Sequence, residues 1–195
     1  MGGLRERKKA RTRAEIQRQA LRLFRAQGFH STTVEQVAAA AEVSPSTVFR
    51  YFATKEELAV LDDHFPLAAA LTSAFEAQPA DVPALRALRT ALRSAFVGLA
   101  PDERAARLER DVAMLAVPEL WAANVGLVVR GMDTIGELVA RRIGRDPADA
   151  AVRAFTGAVL GVCVRVLLDA AQRPGTDVVT ALDEALALLE AGLPL

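Results

Sequence analysis

Two helix-start signals lie ten residues apart in the stretch VSPSTVFRYFATKEEL (residues 43–58), and the helix between them is very short. Ser44 followed by Pro45 has the pattern of an N-cap residue with proline at the first helical position. Thr54, with Glu57 three residues later, has the pattern of a capping box that begins the next helix. Because so short a helix is marginal in water by itself, we predict that neighbouring helices hold it and that its free face serves a partner.

The chain before this stretch is also predicted to be helical, because no part of the sequence shows sustained period-two alternation or a hairpin signal. A mobile basic arm (1–11) is expected to precede helix 1, which should run from about Thr12 to Gln27. Helix 2 is expected to begin at Thr33 with a capping box. The turn EVS (42–44) and the short helix after it then complete a helix-turn-helix pattern.

The chain after this stretch is predicted to contain helix 4, from Thr54 to His64, and five or six more helices. The additional helices are expected over residues 66–77, 84–100, 102–117, 119–144, 148–172 and 177–191, with Pro174 and Gly175 between the last two. The predicted fold class is all-α. We expect a three-helix helix-turn-helix domain over residues 1–57 and a helical-bundle domain over residues 58–195.

Charge is divided unevenly along a chain whose formal net charge is zero. Residues 1–57 carry 11 basic and 6 acidic residues, a net charge of +5, whereas the remainder carries 13 basic and 18 acidic residues, a net charge of −5. A basic N-terminal part is typical of a protein with a polyanionic partner. A solvated basic face is the simpler interpretation when charge is considered alone.

The single cysteine, Cys163, excludes an internal disulfide and predicts a reducing compartment. No apolar signal-peptide region follows the charged N-terminus. The most apolar stretch, residues 154–164, ends at Arg165 and is shorter than the roughly 20 residues that a transmembrane helix needs. We therefore expect a soluble, cytoplasmic protein without a membrane partner, in which Cys163 is a buried and inert thiol.

Residues suited to catalysis or metal binding are sparse. The two histidines, His30 and His64, have no second histidine or cysteine at ligand spacing. Neither a glycine-rich phosphate loop nor a G-x-S-x-G motif occurs. We expect no metal, no cofactor and no enzymatic activity. An all-helical enzyme or a small-molecule carrier with a basic arm is the alternative to a protein that binds DNA through the helix-turn-helix pattern. A gel shift would separate the two.

The short helix has the dimensions of a DNA recognition helix, because the major groove admits one α-helix whose N-terminal residues reach the base edges. Ser46 and Arg50 are expected to influence sequence preference, whereas Tyr51 and Lys55 are placed to contact phosphates. Val48 and Phe52 should face the core. The candidate DNA-binding residues are Thr33, Glu35, Pro45, Ser46, Thr47, Phe49, Arg50, Tyr51 and Lys55.

The segment GFHSTTVEQVAAAAEVSPSTVFRYFATKEEL (residues 28–58) resembles the TetR family of one-component transcriptional regulators. The resemblance is carried by the G-x-x-x-T-T start, the alanine-rich second helix, VS before the recognition helix, its aromatic ending and TKEEL. It implies an all-helical homodimer that binds a double-stranded DNA operator and a small effector. Two residues depart from the family pattern. This chain has Glu42 where the family often has glycine, and Phe49 where the family usually has tyrosine.

The C-terminal part is similar to an actinobacterial branch that includes the regulators of mycofactocin systems and is associated with acyl-CoA-like ligands. This resemblance implies a repressor that an apolar effector, such as a fatty acyl-CoA, releases from DNA. It also implies a cavity whose candidate residues are Phe75, Phe96, Arg110, Met114, Trp121, Asn124, Val128, Met132 and Phe155. Ordinary core packing is the alternative for the apolar members, and helix-surface charge is the alternative for Arg110.

Two further expectations concern the C-terminal domain. Cations near the mouth of the cavity, Arg130, Arg141 and Arg142, are candidates for the phosphates of an acyl-CoA. The last two predicted helices are more apolar than burial on one side requires. We therefore expect them to form the dimer interface as a four-helix bundle.

Overall fold

The computed structural model of this protein describes residues 3–61, 66–173 and 175–194. Within those ranges every regular element is a helix, which confirms the predicted all-α fold class. The helices are α1 (Leu4–Gln27), α2 (Val34–Ala40), α3 (Pro45–Tyr51), α4 (Lys55–Ala59), α5 (Pro66–Glu76), α6 (Ala84–Val97), α7 (Pro101–Ala116), α8 (Pro118–Ile143), α9 (Ala150–Gln172) and α10 (Val178–Glu190).

Helix α1 begins at Leu4, so the predicted start near Thr12 is wrong and most of the predicted arm is helical. The stretch LRERKKAR consists of residues with high helix propensity. Glu6 lies in the first turn, where its negative charge interacts favourably with the helix dipole. The Thr12 hydroxyl donates to the Lys8 carbonyl at 3.0 Å, so Thr12 lies inside the helix and does not cap it.

The short helices begin where the capping signals predict. Thr33 accepts a hydrogen bond from the backbone N–H of Gln36, and the Gln36 side chain accepts one from the Thr33 N–H, which completes the capping box. Ser44 caps α3, with Pro45 in the first turn. Thr54 caps α4.

Helix α4 ends at Ala59, so the prediction that it continues to His64 is wrong. The side-chain amide of Asn124 donates to the Ala59 carbonyl at 2.7 Å and accepts from the Leu61 N–H at 2.8 Å. These are a carbonyl and an N–H that a continuing helix would pair within its own backbone. His64 and Phe65 lie outside the described residues, as does Pro174.

The chain divides into two compact units that do not follow the sequence order strictly. The first unit contains Met1–Asp62 together with Glu109–Asn124, and the second contains Asp63–Leu108 together with Val125–Leu195. The end of α7 and the start of α8 therefore belong to the unit that contains the helix-turn-helix. The functional boundary after residue 57 stays a prediction.

The core of the first unit forms where α1 packs on α2 and α4, and where α2 packs on α3. Ile16 and Phe24 of α1 are buried, as is Leu58 of α4. Val48 and Phe52 are each only 1% exposed, which confirms that this face of the short helix is turned to the core. The opposite face of α3 is consequently left at the surface.

The core of the second unit forms around α6, which packs against α5 and α10, while α10 also packs against α9. Leu88 of α6, Phe75 of α5 and Leu186 of α10 are among its buried side chains. Helix α9 buries Val152 and Val159 but leaves much of its apolar surface uncovered.

Candidate DNA-binding surface

A cluster of hydroxyl groups lies at the N-terminus of α3. The Ser44 Oγ is 2.9 Å from the Ser46 Oγ and 2.9 Å from the Thr47 Oγ1. It also accepts from the Thr47 backbone N–H at 3.2 Å. Ser44 and Ser46 are exposed, so these hydroxyls can reorient toward a partner that approaches the start of the helix. The sequence predicts Ser44 only as a cap. Because its hydroxyl also contacts the hydroxyl of Ser46, Ser44 belongs to the exposed hydroxyl cluster as well.

The outer face of α3 carries an aromatic residue and a cation next to each other in the sequence. Phe49 is 51% exposed, which is unusual for so large an apolar side chain. Arg50 is exposed, and its guanidinium carbon lies 5.4 Å from the centre of the Tyr51 ring. The last turn of α3 therefore offers an apolar surface, a guanidinium and a phenol hydroxyl within three successive residues.

Arg13 of α1 holds the C-terminal end of α3. Its Nη1 donates to the Tyr51 carbonyl at 2.6 Å, and its guanidinium carbon lies 4.2 Å from the centre of the Phe52 ring. The bond satisfies a carbonyl in the last turn, which has no partner within the helix. The role of Arg13 could not be predicted, because its partners are 38 and 39 residues away and a single sequence contains no signal for such a pairing.

Lys55, at the first position of α4, is restrained by the loop before α2. Its Nζ lies 4.5 Å from the centre of the Phe29 ring and 3.4 Å from the His30 carbonyl oxygen. His30 is at the surface, with its Nε2 3.0 Å from a carboxylate oxygen of Glu119. A lysine held in this way has less side-chain entropy to lose when it binds a phosphate.

The two candidates on the α2 side are exposed, and one of them already has a structural role. The Thr33 Oγ1 accepts from the Gln36 N–H at 3.2 Å, and Glu35 lies in the first turn of α2. All nine candidate DNA-binding residues belong to the first unit.

The candidate ligand residues are divided between the two units. Arg110, Met114, Trp121 and Asn124 belong to the first, and Phe75, Phe96, Val128, Met132 and Phe155 belong to the second. The amide of Asn124 also donates to the Leu120 carbonyl at 2.7 Å, so its oxygen and its nitrogen both bind backbone. Phe75 and Phe96 are buried in their own unit.

Two of the arginines suggested for ligand phosphates have protein partners. Arg142 donates to the carbonyl oxygens of Val82 at 2.9 Å and of Pro79, and its guanidinium carbon lies 5.3 Å from the centre of the Phe75 ring. It therefore fastens the loop between α5 and α6 to the C-terminal part of α8. Arg141 lies 3.3 Å from a carboxylate oxygen of Glu76.

A concave region of about 490 Å³ lies in the second unit on α6 and α10. Its lining residues are Arg86, Arg89, Thr90, Arg93, Ser94, Val97 and Asp183, none of which is a candidate ligand residue. Two of the three arginines of this region have carboxylate partners, since Arg86 and Arg89 lie 2.7 and 2.5 Å from carboxylate oxygens of Glu190. Hydrogen bonds from Arg89 lower the pKa of the Glu190 carboxyl group.

Cys163 of α9 has no disulfide partner. Burial raises the pKa of its thiol to about 11. A thiol with such a pKa is almost entirely protonated at neutral pH, and the thiolate is the reactive form. This agrees with the expectation of an inert cysteine, whereas the prediction that Cys163 is buried holds only in part, because its side chain is half-buried.

Helix α9, which contains the apolar stretch 154–164, is long and apolar enough to cross a membrane when judged by length and composition alone, so the prediction that this region is too short to do so is wrong. Its most apolar window has a mean hydropathy of 1.8, and only 17% of that window is buried. Helices α7 and α8, which meet at a bend of 110°, pass the same test as a pair.

Among the described residues, no group of three or more His, Cys, Asp or Glu side chains could hold a metal ion.

The fold and this surface define a class, the helix-turn-helix DNA-binding proteins. Comparison with known proteins gives the family. Residues 16–60 match the family of bacterial regulatory proteins of the tetR family, and residues 82–194 match the MftR C-terminal domain. The chain therefore belongs to the TetR family of transcriptional regulators and carries a C-terminal domain of the MftR type.

Two related sequences show the range of similarity. The HTH-type transcriptional regulator TcmR of Streptomyces glaucescens is 48% identical over 95 residues, which are 47% of this chain and 40% of TcmR. This match spans less than half of TcmR. A protein of Mycobacterium tuberculosis named as the mycofactocin biosynthesis transcriptional regulator MftR is 28% identical over 96% of this chain and 93% of its own length.

Solved structures share the fold over nearly the whole chain. The fatty acid degradation regulator FadR from Bacillus halodurans has a TM-score of 0.70 and 18% identity, covering 94% of this chain and 96% of its own. FadR of Thermus thermophilus, a TetR-family repressor solved in complex with lauroyl-CoA, has a TM-score of 0.54 and 27% identity. That match covers 94% of this chain and 95% of the FadR chain.

Proposed function

We propose that this regulator is a homodimeric repressor that binds a palindromic operator through α3 and is released from it by an apolar effector. The observation that carries the DNA-binding part is the division of α3 into two faces. Val48 and Phe52 are fully buried, whereas Ser46, Phe49 and Arg50 are exposed. A helix of two turns whose outer face is exposed, and whose C-terminal end is fixed by Arg13, is suited to insertion into a major groove.

The side chains of α3 suggest different tasks. Ser46 and Arg50 supply hydrogen-bond donors that can reach base edges, and the exposed Phe49 can contact the methyl group of a thymine. Tyr51 and Lys55 lie at the end of α3 and the start of α4, where contacts to phosphates fix the register of the protein on the duplex. Thr33 and Glu35 flank this surface from α2.

The dimer part of the proposal is supported by the uncovered face of α9. Ala154, Ala158 and Gly161 are exposed at spacings of four and three residues, and they therefore form one stripe. Small residues at such spacing let a second helix approach closely. A soluble monomer rarely exposes a large contiguous apolar patch, and Leu188 of α10 is also 55% exposed. A second copy of α9 and α10 would cover this surface.

The effector part of the proposal is supported by one relative and by the chemistry of the second unit. The Thermus thermophilus FadR chain was solved with lauroyl-CoA. Aromatic and thioether candidates such as Phe155 and Met132 suit an acyl chain. An effector releases DNA only if it binds the DNA-incompetent state more tightly than the DNA-competent state. The difference between these two affinities limits how far the effector can shift the equilibrium. A coupling of about 1–3 kcal/mol would change operator affinity roughly 5–150-fold.

The experiment is a titration of the protein–operator complex, followed by fluorescence anisotropy of labelled DNA. Long-chain acyl-CoAs are added in one series, and free CoA and the matching free fatty acids in two control series. We expect release by acyl-CoA at concentrations where both controls leave the complex intact. If no chain length releases DNA and none raises the melting temperature of the free protein, the acyl-CoA effector is wrong and the DNA-binding proposal stands.

The alternative class, an all-helical carrier or enzyme, makes a different prediction. Such a protein would bind a small molecule but would show no preference for DNA upstream of its own gene over scrambled DNA of equal length. The same anisotropy assay, performed with both duplexes and without effector, therefore separates the two classes.

A further inference from the structure

We propose that the N-terminal extension of α1 is a second DNA-contacting element, in which Lys9 binds a backbone phosphate beside the recognition helix. This inference rests on the proposed binding of DNA by α3. The TetR-family match begins at residue 16, whereas α1 begins at Leu4. Three helical turns of α1 therefore precede the segment that the family model matches.

The position of the extension is fixed by a contact already described. Arg13 of α1 donates to the Tyr51 carbonyl at the C-terminal end of α3 and lies over the Phe52 ring. The α1 segment before Arg13 consequently starts from the end of the recognition helix. Phosphates flanking a half-site lie within reach of long side chains from such a segment.

Helical geometry selects which basic residue is on the side of α1 that bears Arg13. Residues four apart occupy the same face, so Lys9 lies one turn before Arg13. Glu6, seven residues before Arg13, lies on this face as well. Arg11 is two residues from each of Lys9 and Arg13 and therefore projects from the opposite side. Lys9, Glu6 and Arg11 are all exposed.

These placements make Lys9 the phosphate contact, Glu6 an unfavourable charge beside it, and Arg11 a matched control of the same charge on the far side. The contact is sequence-independent, because a lysine ammonium group on a phosphate carries no base information. It therefore changes the affinity for every duplex and changes the salt dependence of binding.

The test uses the full-length protein and measures the affinity for operator and scrambled duplexes between 50 and 200 mM salt. Each neutralised phosphate contributes about −0.9 to the slope of log affinity against log salt. We expect Lys9→Ala to make the slope less steep by about 0.9. Between 50 and 200 mM salt, the affinity of this variant should therefore fall by a factor about 3.5 times smaller than the factor for the wild type. Both duplexes should be affected equally, and Glu6→Gln should bind both duplexes more tightly.

Arg11→Ala is the control and should leave the slope at the wild-type value, with all variants keeping the wild-type melting temperature. An unchanged slope in Lys9→Ala, or an equal change in Arg11→Ala, would overturn the inference. If the wild-type protein still prefers the operator in that experiment, the proposed function stands. A wild-type protein that binds neither duplex would overturn both.

Discussion

At the scale of single residues, Glu42 in the turn before α3 has a backbone conformation that few side chains adopt. Its φ is 54°, in the left-handed region that favours glycine. A residue with a Cβ pays about 1 kcal/mol for this conformation. We predict that Glu42→Gly raises the free energy of unfolding by about 0.5–1 kcal/mol, measured by urea denaturation. Glu42→Ala is the control and should show no such gain, and equal gains in both variants would point to the lost charge instead of the backbone.

The residues of α3 should divide into those that read bases and those that hold phosphates. We predict that Ser46→Ala and Arg50→Ala reduce the preference for operator over scrambled DNA by about 1–3 kcal/mol each. Tyr51→Phe should weaken the binding of both duplexes alike, because a phosphate contact carries no base information. Competition anisotropy with the two duplexes measures the ratio. Equal losses on both duplexes for Ser46→Ala and Arg50→Ala would show that this division is wrong.

At the scale of helices, the start of α10 depends on an ionised cap. Asp177 accepts hydrogen bonds from the backbone N–H groups of Val179 and Thr180 and from the Thr180 hydroxyl, at 3.1, 3.2 and 2.8 Å. The Thr180 bonds hold the pKa of Asp177 below its ordinary value of 3.8. Because the folded-state pKa is the lower one, this stabilisation is complete above the ordinary pKa and is lost as the pH falls through the folded-state value.

We therefore predict that Asp177→Ala lowers the free energy of unfolding by about 1 kcal/mol at neutral pH. The deficit should shrink as the pH falls below the ordinary pKa of 3.8 and then through the lower folded-state pKa. Asp177→Asn keeps the cap without the charge and serves as the control, with a small deficit at neutral pH. Thermal unfolding between pH 2.5 and 7 measures the difference. A deficit of Asp177→Ala that is independent of pH would contradict a charged cap.

Helix boundaries also show what the sequence could predict. The starts of α2, α3 and α4 were predicted because a cap and its partner lie within three residues of each other. The end of α4 was not, because it depends on Asn124, 65 residues beyond Ala59. The start of α1 was predicted wrongly because its many charges are typical of a mobile arm, although the same residues have high helix propensity. Arg13 was missed for the same reason as Asn124, since both act on distant backbone.

At the scale of the whole molecule, the DNA-binding candidates predicted from the sequence all lie in one unit of the structure, whereas the ligand candidates lie in both units. The first set follows from a contiguous motif. The second was chosen by residue type and family likeness, and residue type alone does not distinguish a packed core from a cavity. Phe75 and Phe96, for example, are buried in the second unit as ordinary core residues would be.

The proposed dimer gives a prediction for α9. An added Cβ at Gly161 would meet no atom within 4 Å in one protomer, so a larger residue fits the monomer. We predict that Gly161→Glu preserves helicity, because glutamate has the higher helix propensity, but converts the dimer to a monomer. Gly131→Glu on α8, where space is equally open, is the control and should remain dimeric. Light scattering measures the mass. A dimeric Gly161→Glu variant would exclude this face.

The most direct test of the account is footprinting of the DNA upstream of the protein's own gene at low and moderate salt. We predict two protected half-sites related by a dyad, with centres about one helical turn of DNA or a multiple of it apart, because a symmetric dimer presents two copies of α3. Protection should weaken steeply as salt rises. Protection of a single unrepeated site, or no protection at 50 mM salt, would contradict the account.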